Sequence, residues 1–259
     1  MSNKRKPDQL VQSLDRALNI LEKIVKSDDG LGVTELSNSL GLHKSTTYRL
    51  LATLAYREYV KQDSKNDKYK VGIKLFELGN LALNKLEVRN EVRPFLEELM
   101  AKTGETIHLG VIDDSEVVYI DKVESPQTIR MYSEVGKRAP VHCTGLGKVL
   151  LAYSSLEVID KFIEENGLPA YTNNTITEVD IFKKHLDKIR RQGFAIDNVE
   201  HEEGIRCIAG PIFNYKGNAV ASFSISGPTM RVTEDKISDF VELVRAYSKK
   251  MSRALGFIG

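Results

Sequence analysis

A chain of 259 residues, 41% hydrophobic and 28% charged, has the make-up of an ordinary globular protein, with room for one large domain or a small one and a medium one. No apolar run approaches the roughly 20 residues that a membrane span needs, the basic N-terminus lacks the apolar core of a secretory signal, and two cysteines, Cys143 and Cys207, exclude a disulfide framework and point to a reducing cytoplasm. The net charge of +1 conceals an asymmetry, because residues 1–72 hold 13 Lys and Arg against 9 Asp and Glu (net +4) while residues 73–259 hold 24 against 27 (net −3), a hint of a polyanion partner at the N-terminal end.

From Val11 the apolar positions Val11, Leu14, Leu18, Leu21 and Val25 recur at steps of three and four, with Ala17 and Ile24 beside them. This predicts an amphipathic helix packed on that stripe and stopped by Asp28-Asp29-Gly30. Thr34 is placed to N-cap a short helix containing Leu36 and Leu40. Gly41 supplies a tight turn, and a second helix runs from Ser45 to about Arg57. Two short helices about a glycine turn match helix-turn-helix geometry. Thr34, Lys44, Ser45, Thr46, Thr47, Tyr48 and Arg49 are the candidate DNA contacts, with Leu50, Leu51 and Leu54 on the opposite side. Tyr59–Gln62 and Lys68–Val71 read as a hairpin whose tip carries Lys65 and Lys68, suited to a wing along a sugar-phosphate backbone. The expected units are a winged helix-turn-helix over 1–72, a linker helix over 73–88 and a larger domain over 89–259. In the linker, Leu75, Leu78, Ala82 and Leu86 keep helical spacing, while Phe76, Leu81 and Leu83 spread apolar surface nearly around it. Such a helix packs against a partner or a second copy, and a reader of palindromic sites requires a dimer.

The remainder alternates helices and strands, which argues an α+β fold with at least one covered sheet face. A helix closes at Gly104, and strands are expected over 106–113, 116–124 and 128–136. Helices follow at 145–154, about 155–166 and about 178–192, then strands at 193–198, 204–214 and 218–227, then a final helix from Thr233 to Leu255.

The segment HCTGLGKVLLA (142–152) invites chemical readings. A P-loop would place its first glycine where His142 stands, and Val149 replaces the hydroxyl that holds magnesium, so that match fails. His142 and Cys143 are neighbours whose side chains point to opposite faces of an extended chain, so they cannot pair as base and nucleophile. His108, His142, Cys143, His201 and Cys207 show no zinc spacing, and neither a metal nor a cofactor is expected. The Thr144–Gly147 helix start reads equally as an anion site built from first-turn N–H groups or as a plain Thr144 N-cap with glycines for packing. Ser222, Ser224 and Ser226 share one strand face, which means little if exposed and lines a cavity if covered. In a covered arrangement the Gly145 and Leu146 N–H groups take a carboxylate and Asp197 takes a hydroxyl, with Cys207 nearby in chain order. That points to a small hydroxy- or keto-acid.

Three stretches carry a family resemblance: GVTELSNSLGLHKSTTYRLLATL, GKRAPVHCTGLGKVLLA and GFAIDNVEHEEGIRCIAGPIFNYKGNAVASFSISGP. From about Leu14 to Leu255 the chain resembles the IclR-type bacterial transcription regulators. The resemblance implies a winged helix-turn-helix, a dimerising linker helix, a GAF-like effector-binding domain, tetramers built as dimers of dimers, and no enzymatic activity. It also implies double-stranded DNA operators that are short palindromes, with repression commoner than activation. Effector contacts carry over to Gly145, Leu146, Asp197, Cys207, Ser224 and Ser226. Relatives that bind two- or three-carbon keto-acids have a smaller residue where Leu146 stands, so the resemblance implies a pocket shaped for another ligand. Family members respond to sugar-acid catabolites, aromatic acids and glyoxylate-like compounds, and the sequence does not fix the class, a sugar acid or a keto- or hydroxy-acid being the expectation here. The contrasting expectations are a GAF-like enzyme with a cysteine nucleophile, and a DNA-binding protein whose second domain only oligomerises.

Overall fold

The computed structural model describes residues 10–84, 87–128 and 133–258, and the chain divides into two compact units, Met1–Lys85 and Leu86–Gly259. The first holds α1 (Gln12–Val25), α2 (Val33–Leu40), α3 (Lys44–Tyr56), the two-stranded antiparallel hairpin β1 (Val60–Gln62) and β2 (Tyr69–Val71), and α4 (Ile73–Asn84). Ile20, Ile24, Leu36, Leu51, Val60 and Tyr69 form its core. The stripe expected to pack α1 does not do so: Leu14 and Leu18 are 58% and 50% exposed, and Val11 and Val25 are exposed as well. The helix buries Ile20 and Ile24 instead, about 100° further round, with only Leu21 common to both faces.

Thr34 is not the cap of α2. Gly32 holds that position in an extended conformation, its N–H donates to Glu35 Oε2 at 2.7 Å, and Thr34 is the second helical residue. Gly41 ends α2 at φ 64°, a left-handed conformation that glycine adopts without cost, and only three residues separate α2 from α3.

The second unit runs α5 (Glu87–Thr103), β3 (Thr106–Asp113), β4 (Glu116–Val123), β5 (Arg138–Pro140), α6 (Gly145–Ala152), α7 (Leu156–Asn166), α8 (Val179–Gln192), β6 (Ala195–Asn198), β7 (Ile205–Phe213), β8 (Ala219–Pro228) and α9 (Ile237–Ala254). Thr233 opens a short 3-10 turn ahead of α9 rather than α9 itself. Ile129–Tyr132 of the strand expected over 128–136 lie outside the described residues, and the described flanks are turns and irregular chain. So do Leu86 and the side chains of Ala82 and Leu83 in the linker.

The six strands form one antiparallel sheet in the order β5-β4-β3-β8-β7-β6. Alternation sends Ile107, Leu109, Ile208, Phe223 and Ile225 to one face, where they meet Val92, Leu96 and Leu99 of α5 and Val244, Tyr247 and Met251 of α9. On the other face Val117, Tyr119, Ala195 and Ala209 meet Leu146 and Val149 of α6 together with Ile159, Phe162, Phe182 and Leu186 of α7 and α8. Both faces are therefore covered, and every residue of α6 is buried.

Candidate DNA-contact helix and effector site

Lys44, Ser45, Tyr48 and Arg49 are exposed on α3, and Thr46 is half-buried. Thr47 departs from the expected contacts: it is fully buried, and its hydroxyl donates to the His43 carbonyl at 3.2 Å. It shares the inward face with Leu51, four residues on, so it cannot reach a groove. Thr34 is exposed on α2. In the wing, the Lys65 and Lys68 N–H groups close Asx turns on Asp63 and Asn66 at 3.0 and 3.1 Å, which leaves Lys65 exposed at the tip and Lys68 half-buried.

Thr144 does cap α6: its hydroxyl accepts from the Gly147 N–H at 3.2 Å and donates to the Pro140 carbonyl at 2.6 Å. Packing demands Gly147 and crowds Gly145. A Cβ on Gly147 would stand 2.3 Å from the Val141 carbonyl oxygen, and one on Gly145 would stand 3.1 Å from the Ala209 Cβ and 3.7 Å from the Cys207 Cβ. Packing does not consume the first-turn N–H groups of Gly145 and Leu146, which precede the first intrahelical bond. The cap reading therefore holds without excluding the anion reading, with Gly145 pressed over β7 and Leu146 over Gly110 of β3.

Beneath and beside that start the sheet is polar. Cys207 lies opposite both Asp197 and Ser226, and Ser224 lies opposite His108 and Ala209. Asp197, Cys207, Ser222, Ser224, Ser226 and His108 are all buried on the α6 side, so the serine stripe is covered. Ser222 donates to the Gly210 carbonyl at 2.9 Å and is occupied within the sheet. Ser224 and Ser226 share a hydrogen bond of 2.9 Å. Asp197 Oδ1 accepts the Glu200 N–H at 2.7 Å. Burial pushes the Asp197 carboxyl up to about 7, against the opposing pull of Lys148 and of the backbone N–H donors. Near neutral pH this group can donate as well as accept, which removes much of the repulsion expected towards a ligand carboxylate.

Both thiols are unsuited to nucleophilic chemistry. Burial, with Asp197 nearby, pushes Cys143 up to about 12 and Cys207 higher still, whereas an activated thiol is held low. His142 turns away from Cys143 and donates from Nε2 to the Pro169 carbonyl at 2.9 Å. Among the described residues, no cluster of three or more His, Cys, Asp or Glu could hold a metal ion.

Sequence reasoning missed two features. Lys148, set aside as a failed P-loop lysine, is wholly buried, ion-paired with Glu200 and donating to the Ile196 carbonyl at 2.7 Å. It pins α6 to β6, which carries Asp197, and to the turn that follows it. The other is His108, whose ring lies 5.1 Å from Tyr119 and which bonds serines on two different segments. A separate open hollow of about 460 Å³ at the far end of α6, lined by Leu150, Leu151, Phe162 and Val220 among others, contains none of these groups.

Residues 13–64 match the IclR helix-turn-helix domain, and residues 80–253 match the domain described as "Bacterial transcriptional regulator IclR C-terminal". The chain is 38% identical over 253 residues to the HTH-type transcriptional regulator KdgR of Escherichia coli, covering 98% of this chain and 95% of that protein. It is 36% identical over 248 residues to XynR of the same organism, covering 96% and 98%. The crystal structure of the Thermotoga maritima IclR superposes with a TM-score of 0.84 at 35% identity, across 96% of this chain and 100% of that one. Among the described residues, no helix is long and apolar enough to cross a membrane. The chain belongs to the IclR family of bacterial transcription regulators, and is accordingly a DNA-binding regulator and not an enzyme.

Proposed function

We propose that the chain is a cytoplasmic repressor of a catabolic operon, working as a homodimer or homotetramer and controlled by a small organic acid bound in its second unit. Residues 1–72 are the winged reader of a double-stranded DNA operator, 73–88 the dimerising linker, and 89–259 the sensor. Lys44, Ser45, Tyr48 and Arg49 face the operator, with Thr34 and Thr46 at the margin of the contact and Lys65 and Lys68 of the wing on its phosphates. The observation that carries the reading is the helix start of α6 lying over Cys207 and Ala209 beside a buried Ser224–Ser226 pair. A carboxylate bound by the Gly145 and Leu146 N–H groups sits at the positive end of α6, where helix termini hold anions. Asp197, Cys207, Ser224 and Ser226 then take the rest of the acid.

Two measurements test this. Fluorescence anisotropy with duplexes from the promoters flanking the gene is expected to show operator binding that Arg49→Ala weakens by about 1–3 kcal/mol, with little change on random DNA. Equal affinity for operator and random DNA in both proteins would refute the reader assignment. Calorimetry with sugar acids, keto-acids and aromatic acids is expected to give heat for at least one class. Silence from all of them favours a second unit that only assembles oligomers.

A further inference from the structure

His108 stands in the middle of a chain of hydroxyls. Its Nε2 is 2.7 Å from Ser133 Oγ, its Nδ1 is 3.2 Å from Ser226 Oγ, and Ser226 Oγ is 2.9 Å from Ser224 Oγ. Ser133 comes from the irregular segment ahead of β5, whereas the other three are on the sheet. The Ser133 backbone is held independently, because Lys122 Nζ donates to its carbonyl at 2.7 Å. Its hydroxyl can therefore leave His108 while the backbone stays anchored to β4.

We propose, on the reading that an organic acid binds at the start of α6, that His108 is a further effector-binding residue, which takes an uncharged hydroxyl or keto oxygen of the acid in the place that Ser133 Oγ occupies. Burial and the nearby Lys122 ammonium hold the imidazole pKa down to about 3, so at neutral pH it offers one N–H and one lone pair and no charge. It is thus unfit to be the carboxylate's counter-ion and fit to read a neutral oxygen. The position also sets a length. Gly145 lies over β7 and His108 belongs to β3, two strands away across β8. Neighbouring strands are about 4.8 Å apart, so the two anchors are separated by roughly 10 Å. A hydrogen bond of about 3 Å at each end leaves roughly 4 Å between the two oxygens of the acid. Pyruvate, whose keto oxygen is on the carbon next to its carboxylate, falls short of that span. Leu146 packs on Gly110, two residues beyond His108, and so lies over the same strand.

The full-length protein and the variants His108→Leu, His108→Gln and Ser133→Ala are titrated by calorimetry with D-gluconate, 4-hydroxybenzoate and pyruvate. For the longer acid that binds, His108→Leu is expected to lose at least tenfold in affinity, His108→Gln to recover part of it, and Ser133→Ala to gain severalfold, because the competing hydroxyl is gone. Pyruvate, if it binds, is expected to be indifferent to all three changes. A general packing defect would lower affinity in both the His108→Leu and Ser133→Ala proteins, so opposite signs separate recognition from damage. Unchanged affinities for a bound longer acid would overturn this proposal and leave the effector site standing. No heat from any acid with any of the four proteins would overturn the site reading and this proposal with it.

Discussion

At the start of α6, Gly145 and Gly147 serve different ends. Gly147→Ala would set a methyl 2.3 Å from a backbone oxygen that cannot yield, so it is expected to cost about 1–3 kcal/mol or more in urea unfolding. Gly145→Ala meets the Ala209 methyl at 3.1 Å and the Cys207 Cβ at an ordinary 3.7 Å, so most of the stability is expected to survive while calorimetry records weaker acid binding. Lys148 and Glu200 form a buried pair, so removing one partner strands the other. Lys148→Met is expected to cost about 3–5 kcal/mol and the double change with Glu200→Gln much less, which a double-mutant cycle by denaturant unfolding would read. Additive losses would mean that the pair is not coupled. Asp197 adds a pH signature. Its carboxyl holds a proton up to about 7 when folded and releases it near 4 when unfolded, so the folded state binds more protons in between. Its contribution to stability therefore declines as pH rises from about 4 to about 7. Asp197→Asn removes that decline, and the variant's stability relative to the native chain should climb across this window and level off above it. A constant difference would show that burial does not raise this carboxyl. The cap and the packing glycines were one of the two readings that HCTGLGKVLLA offered, whereas the buried lysine pair was not legible there. A lysine reads as solvated until its partner, 52 residues on, is seen to fold over it.

The helices show both the strength and the limit of periodicity. Spacing placed α1 within a residue of its observed start and identified α2, the Gly41 turn and α3. It chose the wrong face of α1, because that helix carries two apolar stripes and a pattern cannot say which one its own domain uses. It also put Thr47 among the DNA contacts, although Leu51 one turn later marks that side as inward. The unused stripe has a consequence for assembly. Leu14 and Leu18 of α1 and Ile73, Phe76 and Leu81 of α4 are exposed in the single chain, more apolar surface than a monomer leaves to water without purpose. If a second copy covers the α1 stripe, Leu18→Glu should raise the dimer dissociation constant at least a hundredfold, about 2.7 kcal/mol. The same change should spare the far-ultraviolet helix signal, because Leu18 is not part of the core. Sedimentation at graded concentration checks it. An unaltered dimer would place the interface elsewhere.

On the scale of the whole molecule, the α+β class and the polar strand face could be read from alternation and spacing, because each is a local pattern. The site could not be assembled that way. Its members lie on β3, β6, β7, β8 and the turn into α6, and only the pairing order β3-β8-β7-β6 makes neighbours of His108, Ser226, Cys207 and Asp197. The family resemblance supplied most of that set, and it left out His108. What such a site must do in a regulator is alter DNA affinity, and thermodynamic linkage makes that demand quantitative. If the bound acid changes operator affinity by some factor, saturating operator must change acid affinity by the same factor, whatever route joins the two units. For a repressor released by its acid, a weakening of roughly 5- to 150-fold in both directions is expected. Anisotropy with saturating acid and calorimetry with saturating operator give the two factors separately, in one buffer and at one salt concentration, since DNA affinity depends steeply on salt. Equal factors below one in affinity identify an inducer, and equal factors above one identify a co-repressor. A factor of one in both experiments would mean that the second unit binds its acid without informing the first, which would remove control by effector from the function assigned to this chain.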